Sequence, residues 1–407
     1  MHAEPGAVIR NALLRHDGVR DAAVMPVPVA NDAPQMTAFV VPSGKMPLTV
    51  PLLNLWLHDN GVSPHEINEI VECFNLPSDP STLPDAARRL WADRAAHGLT
   101  TRCEDPAPIA YIQRTRHYYA TLGFGAPYQW ATHADAPFAG LQKPLSDCSV
   151  ALVTTAARFD PEAGDQGPGA PYNAAAKFYT VYGDSTARMP DLRISHIAID
   201  RDNSGADDIG TYFPLAALRE AENAGRIGQV AGNFYGLPTN RSHRVTTTID
   251  GPDLLKRCQK DGVDAAIFVP NCPVCHQSVT LVARILEKAG IATVILGCAR
   301  DIVAAAGAPR FVFSDFPLGN AAGRPFDREA QAIVLNTALD ALEQATAPGH
   351  VVQTPLTWIG RAEWKKYYAN PDLLTAREIA RRRAQFAEAK AIAKDMRDKD
   401  GRRHNRR

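Results

Sequence analysis

Two kinds of hydrophobic spacing alternate along much of the chain. Short uninterrupted apolar runs are followed by stretches in which apolar residues recur every three or four positions. The run DAAIFVP from Asp264 to Pro270 shows the first, and SVTLVARILEKAG from Ser278 to Gly290 shows the second. A continuous run of that length reads as a strand buried on both faces, and the second spacing, closed by glycine, reads as an amphipathic helix. Further strands are predicted at Ser149 to Ala156, Leu192 to Ile199, Ile291 to Leu296 and Arg310 to Phe313, with helices opening near Pro214, Leu254 and Arg300. Strands alternating with helices imply an α/β core: a doubly wound, mostly parallel sheet of the flavodoxin or Rossmann kind.

The amino-terminal block has a different rhythm. It predicts a helix from Val8 to Arg15, strands from Arg20 to Pro26 and Met36 to Pro42, a helix from Leu48 to Asn60 and an apolar stretch from Ile67 to Leu76. The expected organisation is a small α+β domain over 1–77, a connector over 78–107, the α/β core over 108–350 and a helical, basic tail over 351–407.

Composition then narrows the function classes. Lys plus Arg equals Asp plus Glu at 44 each, so no global field argues for nucleic acid or a membrane surface. The balance hides 12 Lys/Arg against 5 Asp/Glu from Arg377 to Arg407, a run read as a solvated helix. No apolar segment approaches the ~18 residues that span a bilayer. An odd count of 7 cysteines without a secretory pattern fits a reducing compartment, so a cytoplasmic location is expected.

The chemistry concentrates at NCPVCHQS, Asn271 to Ser278, where a C-x-x-C pair joins the run ending at Val269 to the following helix. Orphan amides and the helix dipole stabilise an anion there, so Cys272 is expected to be the more acidic and more reactive thiol. Packing is the plain alternative, since cysteine is often buried. Two thiolates are also half of a tetrahedral zinc set, and Cys258, His276 and Cys298 are available. No second C-x-x-C or H-x-x-x-H completes it, so no metal is predicted. Asn271 and His276 flank the pair and can donate hydrogen bonds. His196 and Asp200, at the end of another predicted strand, can reach the same sheet edge, with His196 as general acid. Thr154 and Thr155 end the first core strand and can hold a substrate carboxylate or phosphate. The loop from Gly164, GDQGPG, is not a dinucleotide fingerprint, so neither NAD nor a flavin is expected.

Several core segments resemble the selenoprotein B family of glycine, sarcosine, betaine and D-proline reductases. They are IAYIQRTRHYY from Ile109, GFGAPYQW from Gly123, PFAGL from Pro137, VALVTTA from Val150, RISHIAID from Arg193, YFPL from Tyr212, GRIG from Gly225, NCPVCHQS and FPLGN from Phe316. The resemblance covers roughly 108–330, and CHQS is most similar to the D-proline branch. It implies that Cys272 stands where the family carries selenocysteine, with Cys275 as companion thiol. It further implies a partner subunit whose carbonyl activates amine substrates; a Cys272–Cys275 disulfide formed in the reaction would itself call for an external dithiol to reset it. The first block resembles the small carboxy-terminal domain of AMP-forming acyl ligases, through Ile9 to Val24, Thr37 to Pro42 and Gly61 to Ile67. The Gly-Lys pair of those ligases is missing after Leu76-Pro77, which implies docking or dimerisation instead of adenylation.

The expectation is therefore a cysteine-dependent reductase that cleaves a C–N or related carbon–heteroatom bond of a small amino-acid-like substrate. No resident cofactor is expected; a homo-oligomer is, with a partner subunit or thiol reductant protein. A general thiol–disulfide oxidoreductase and a non-catalytic docking scaffold for an acyl ligase or carrier protein stay open as alternatives.

Overall fold

The computed structural model describes residues 5–16, 19–27, 35–42, 57, 69–72 and 108–404, except 127, 166–172, 174, 197 and 359–363. Two compact units divide the chain, one within 1–107 and one within 108–358 and 363–407. In the first, α1 (Pro5–Leu14) packs on β1 (Val19–Val27), which pairs antiparallel with β2 (Gln35–Pro42); β3 (Glu69–Glu72) runs parallel to β2. Ile9, Leu13, Ala22, Ala38 and Val40 form its core. Most of the expected helix from Leu48 to Asn60, the connector over 78–107 and much of the loop after Gly164 lie outside the described residues.

The larger unit opens with α2 (Tyr111–Thr121), followed by β4 (Ser149–Thr154), β5 (Ala157–Arg158), β6 (Tyr182–Ser185) and β7 (Leu192–Arg193). Next come α3 (Leu215–Asn223), β8 (Gln229–Val230), β9 (Asn233–Gly236), α4 (Gly251–Lys260), β10 (Ala265–Val269) and α5 (Pro273–Lys288). The chain continues through β11 (Ala292–Gly297), α6 (Arg300–Ala305), β12 (Arg310–Phe313), α7 (Arg328–Gln344), β13 (His350–Gln353) and α8 (Ala376–His404). The main sheet has eight strands in the order β13-β12-β11-β10-β4-β9-β6, with β8 also on β4. All pairings are parallel except β6 with β9.

Alternation along the strands explains the two layers of helices. In β10, Ala265, Ile267 and Val269 face the core that includes Leu218 and Leu339, while Ala266 and Phe268 face the core that includes Leu254, Val282 and Leu286. Helices α3 and α7 therefore cover one face and α4 and α5 the other, as a doubly wound sheet requires. The winding reverses around β4: β8 and β9 follow on one side of it, and β10 to β13 on the other. The crevice beyond the carboxyl ends of β4 and β10 is thus the switch point where α/β sheets bind ligands.

Two sequence expectations change here. The segment from Leu192 to Ile199 is not a strand of the main sheet; only Leu192–Arg193 is strand, paired antiparallel with β5 in a separate ribbon. The place beside β4 that it would need is taken by β8 and β9. The helix expected from Ser278 starts at Pro273, because a proline at its first position needs no hydrogen-bonded amide and Cys272 serves as N-cap. The helix α7, capped by the Asp327 carboxylate on Ala330 N–H (2.9 Å), was not anticipated.

Candidate functional site

Four adjacent chain segments deliver the site, three of them from carboxyl ends of main-sheet strands. Thr154 and Thr155 leave β4, Thr239 follows β9, and Asn271 to Cys275 join β10 to α5; His196 arrives from the extended segment after β7. Hydrogen bonds hold the strand exits in register: Leu237 N–H donates to Thr154 O (2.8 Å), and Asn271 N–H donates to Thr155 Oγ1 (3.1 Å).

Cys272 caps α5, its Sγ accepting from Cys275 N–H at 3.3 Å. The two sulfurs are in contact at 2.6 Å, and both are free thiols. Cys272 is 5% exposed and Cys275 is fully buried, so a reactant reaches Cys272 first. Tyr128, Trp130 and Ala198 pack over the pair. Gln277 Oε1 accepts from Ala131 N–H at 2.7 Å and so ties that aromatic segment to α5. Tyr128 in turn bonds the Tyr119 hydroxyl at 3.0 Å, and Tyr119 stacks against Phe386 of α8.

The proton inventory differs from the expectation that Cys272 is the acidic thiol. Burial pushes Cys272 up, and its hydrogen bond to Cys275 and the charge there add to the rise. Burial also pushes Cys275 up, but donation from Cys272 and the nearby His196 and Thr155 outweigh it and bring Cys275 well below the ordinary thiol range. The helix terminus gives Cys272 one amide, whereas Cys275 meets polar side chains from three other segments. Two thiols in contact titrate as a pair, so the first proton leaves easily and the second with difficulty.

Thr239, which carries no motif signal in GLPTN, completes the arrangement. Its Oγ1 is 3.2 Å from Cys275 Sγ and 3.1 Å from His196 Nε2. When Cys275 is a thiolate, the single hydroxyl proton of Thr239 points at the sulfur, and its oxygen must accept from His196 Nε2–H. His196, Thr239 and Cys275 then form a proton chain, with His196 Nδ1 buried and unpartnered. The Asn271 side-chain amide is likewise fully buried, with both polar atoms unpartnered. Buried polar atoms without partners call for an explanation, and a bound ligand is one that would supply it.

Other expected site residues are committed elsewhere. His276 does not serve the thiols: its Nδ1–H donates to Cys272 O (2.8 Å) and its Nε2 accepts from Cys298 N–H (2.9 Å). Burial lowers its pKa to about 4, so it is a neutral brace between the start of α5 and the end of β11. Gly297 is the counterpart of that brace, since a Cβ there would come within 2.8 Å of the His276 ring. The Thr154 hydroxyl is occupied too, donating to Tyr212 O and accepting from Ala156 N–H. Asp200 is itself buried and held by Asn203 in a turn, and burial raises its pKa to about 6. Of the expected set, the structure gathers Cys272, Cys275, His196 and Thr155, places Asn271 at the strand exit beside them, and gives Thr154, Asp200 and His276 other bonds.

No family model matches the chain. It is 28% identical to the D-proline reductase subunit gamma of Acetoanaerobium sticklandii, over 54% of this chain and 88% of that protein. It is 26% identical to a glycine reductase complex component B subunit gamma of Peptoclostridium acidaminophilum, over 34% of this chain and 32% of that one. A betaine reductase complex component B subunit beta of the same organism is 24% identical, over 49% of this chain and 46% of the relative. The chain thus spans most of the first relative and less than half of the other two. These relatives support the reductase selenoprotein B family, at modest identity, and an oxidoreductase. The crystal structure of an acyl-CoA synthetase of Brucella canis matches 24% of this chain at 24% identity with a TM-score of 0.16, too low to carry an argument.

Proposed function

We propose that the chain is the thiol-bearing component of a reductase that cleaves a C–N or related carbon–heteroatom bond of a small amino-acid-like substrate. The observation that carries this reading is the buried Cys272/Cys275 contact at the switch point, with the Thr239–His196 chain on Cys275. Cys275, as thiolate, takes the proton of Cys272. The Cys272 sulfur attacks the substrate carbon, the C–N bond breaks, and nitrogen leaves with the proton now on Cys275, which returns to thiolate. Cys275 then attacks the Cys272 sulfur; the S–S bond forms, the S–C bond breaks, and carbon takes a proton delivered through His196 and Thr239. Overall, C–N plus one thiol, one thiolate and the proton delivered through His196 become C–H, N–H and S–S. An external dithiol resets the disulfide.

An amine leaves poorly without activation, and the relatives named as components of reductase complexes support a partner subunit that supplies it. The near-complete burial of the pair favours a small substrate over a protein disulfide. The decisive measurement is single turnover with the cognate partner and candidate amines, followed by mass spectrometry of the intact chain. The reading expects a loss of two protons' mass per product formed, and full multiple turnover by Cys275→Ala would refute it.

A further inference from the structure

The pair and His196 also form a three-ligand cluster. Cys272 Sγ, Cys275 Sγ and a ring nitrogen of His196 all lie within 4.8 Å of one another, and all three residues are buried. We propose that the reduced site binds one thiophilic divalent cation of the zinc class through Cys272, Cys275 and His196, and that this ion and the disulfide exclude each other.

Chemistry and geometry both point that way. Two sulfurs and one imidazole are a donor set for zinc, and three protein ligands leave the fourth tetrahedral position for water or another small ligand. At zinc–sulfur bonds of about 2.3 Å the sulfurs sit roughly 3.8 Å apart. The pair must therefore open from 2.6 Å, which side-chain rotation at Cys272, the residue outside the helix, can supply. Surrounding groups support the ligands: Thr239 bonds both Cys275 and His196, and such outer partners orient metal-binding histidines.

Binding exchanges the thiol protons for two metal–sulfur bonds and changes no oxidation state. Closing the disulfide removes both thiolates, so a metal-loaded chain is reduced but cannot cycle. This inference is independent of the reductase reading, because a buried dithiol of any function would have the site.

The test is titration of the full chain, reduced and oxygen-free, with Co²⁺ and with Zn²⁺. Expected are one ion per chain, thiolate-to-cobalt charge-transfer absorption, and displacement of Co²⁺ by Zn²⁺. The same chain oxidised with diamide should lose binding at least tenfold and regain it on reduction, a comparison that needs no variant. Cys272→Ser and His196→Gln should each weaken binding at least tenfold, while Cys258→Ser, remote in α4, should not. Binding without charge-transfer absorption, binding that survives oxidation, or unchanged affinity in His196→Gln would each overturn the assignment. No substrate is present, so the outcome does not depend on whether the catalytic reading holds.

Discussion

Two buried polar clusters in the larger unit resolve their charges in opposite ways. Glu287 of α5 and Arg310 of β12 are both fully buried and 2.8 Å apart. Glu287 also accepts from Thr293 N–H, Thr293 Oγ1 and Ala139 N–H, and Arg310 donates to Thr293 O and Ala139 O while lying over the Phe138 ring at 4.1 Å. Apart from Arg310 Nε, that network is closed. The thiol cluster, at the other end of α5, leaves His196 Nδ1 and both polar atoms of Asn271 open. A closed network ties a loop to a sheet; an open one leaves polar groups that a ligand could satisfy. Within the site the same contrast separates two histidines, His276 with both nitrogens on backbone and His196 with one nitrogen free.

The largest expected effect tests the open cluster. Cys272→Ser should bring reduction to background in the assay with partner and substrate, while the unfolding midpoint in denaturant stays close to wild type. A variant that keeps turnover would place the chemistry elsewhere.

Substitution in the closed cluster should do the reverse. Glu287→Gln or Arg310→Met leaves a buried charge unpaired and should cost about 3–5 kcal/mol in urea unfolding. The fast alkylation of the thiols should keep its pH dependence, and a shift there would mean that the clusters are coupled.

The histidine contrast sharpens through pH. His276 has a folded pKa of about 4, below the unfolded value, so as pH falls from about 6.5 to 4 the unfolded chain gains a proton that the folded chain refuses. Its contribution to stability is complete above that window and is lost within it, by about 3 kcal/mol. Asp200 and Asp250, each raised to about 6 by burial, act oppositely: they favour the folded state at low pH and cease to as pH rises toward 6. The informative quantity is therefore wild type minus His276→Gln. That difference should shrink as pH drops from 6.5 to 4.

The smallest effect isolates the proton chain. Thr239→Val should raise the first thiol pKa and slow alkylation at neutral pH roughly tenfold, while Thr239→Ser stays near wild type. Equal loss in both variants would point to packing instead of the hydroxyl.

Much of this was readable from the chain alone. The apolar runs at β4, β10, β11 and β12 announced a parallel sheet, because strands covered on both faces need no polar alternation. The C-x-x-C after β10 announced a thiol at a helix start, because strand, proline and helix are all local signals. Short edge strands such as β13, with alternate residues exposed, lacked that signal. The tertiary structure decided the remainder. Thr239 lies 36 residues from Cys275, and Arg310 lies 23 from Glu287. No local pattern reports such meetings, since they depend on which strand exits adjoin. Tertiary packing also moved the lower pKa from Cys272 to Cys275. A helix terminus is visible in sequence and favours the first cysteine, but polar side chains from the exits of β4 and β9 and the segment after β7 converge on the second only when the sheet is assembled.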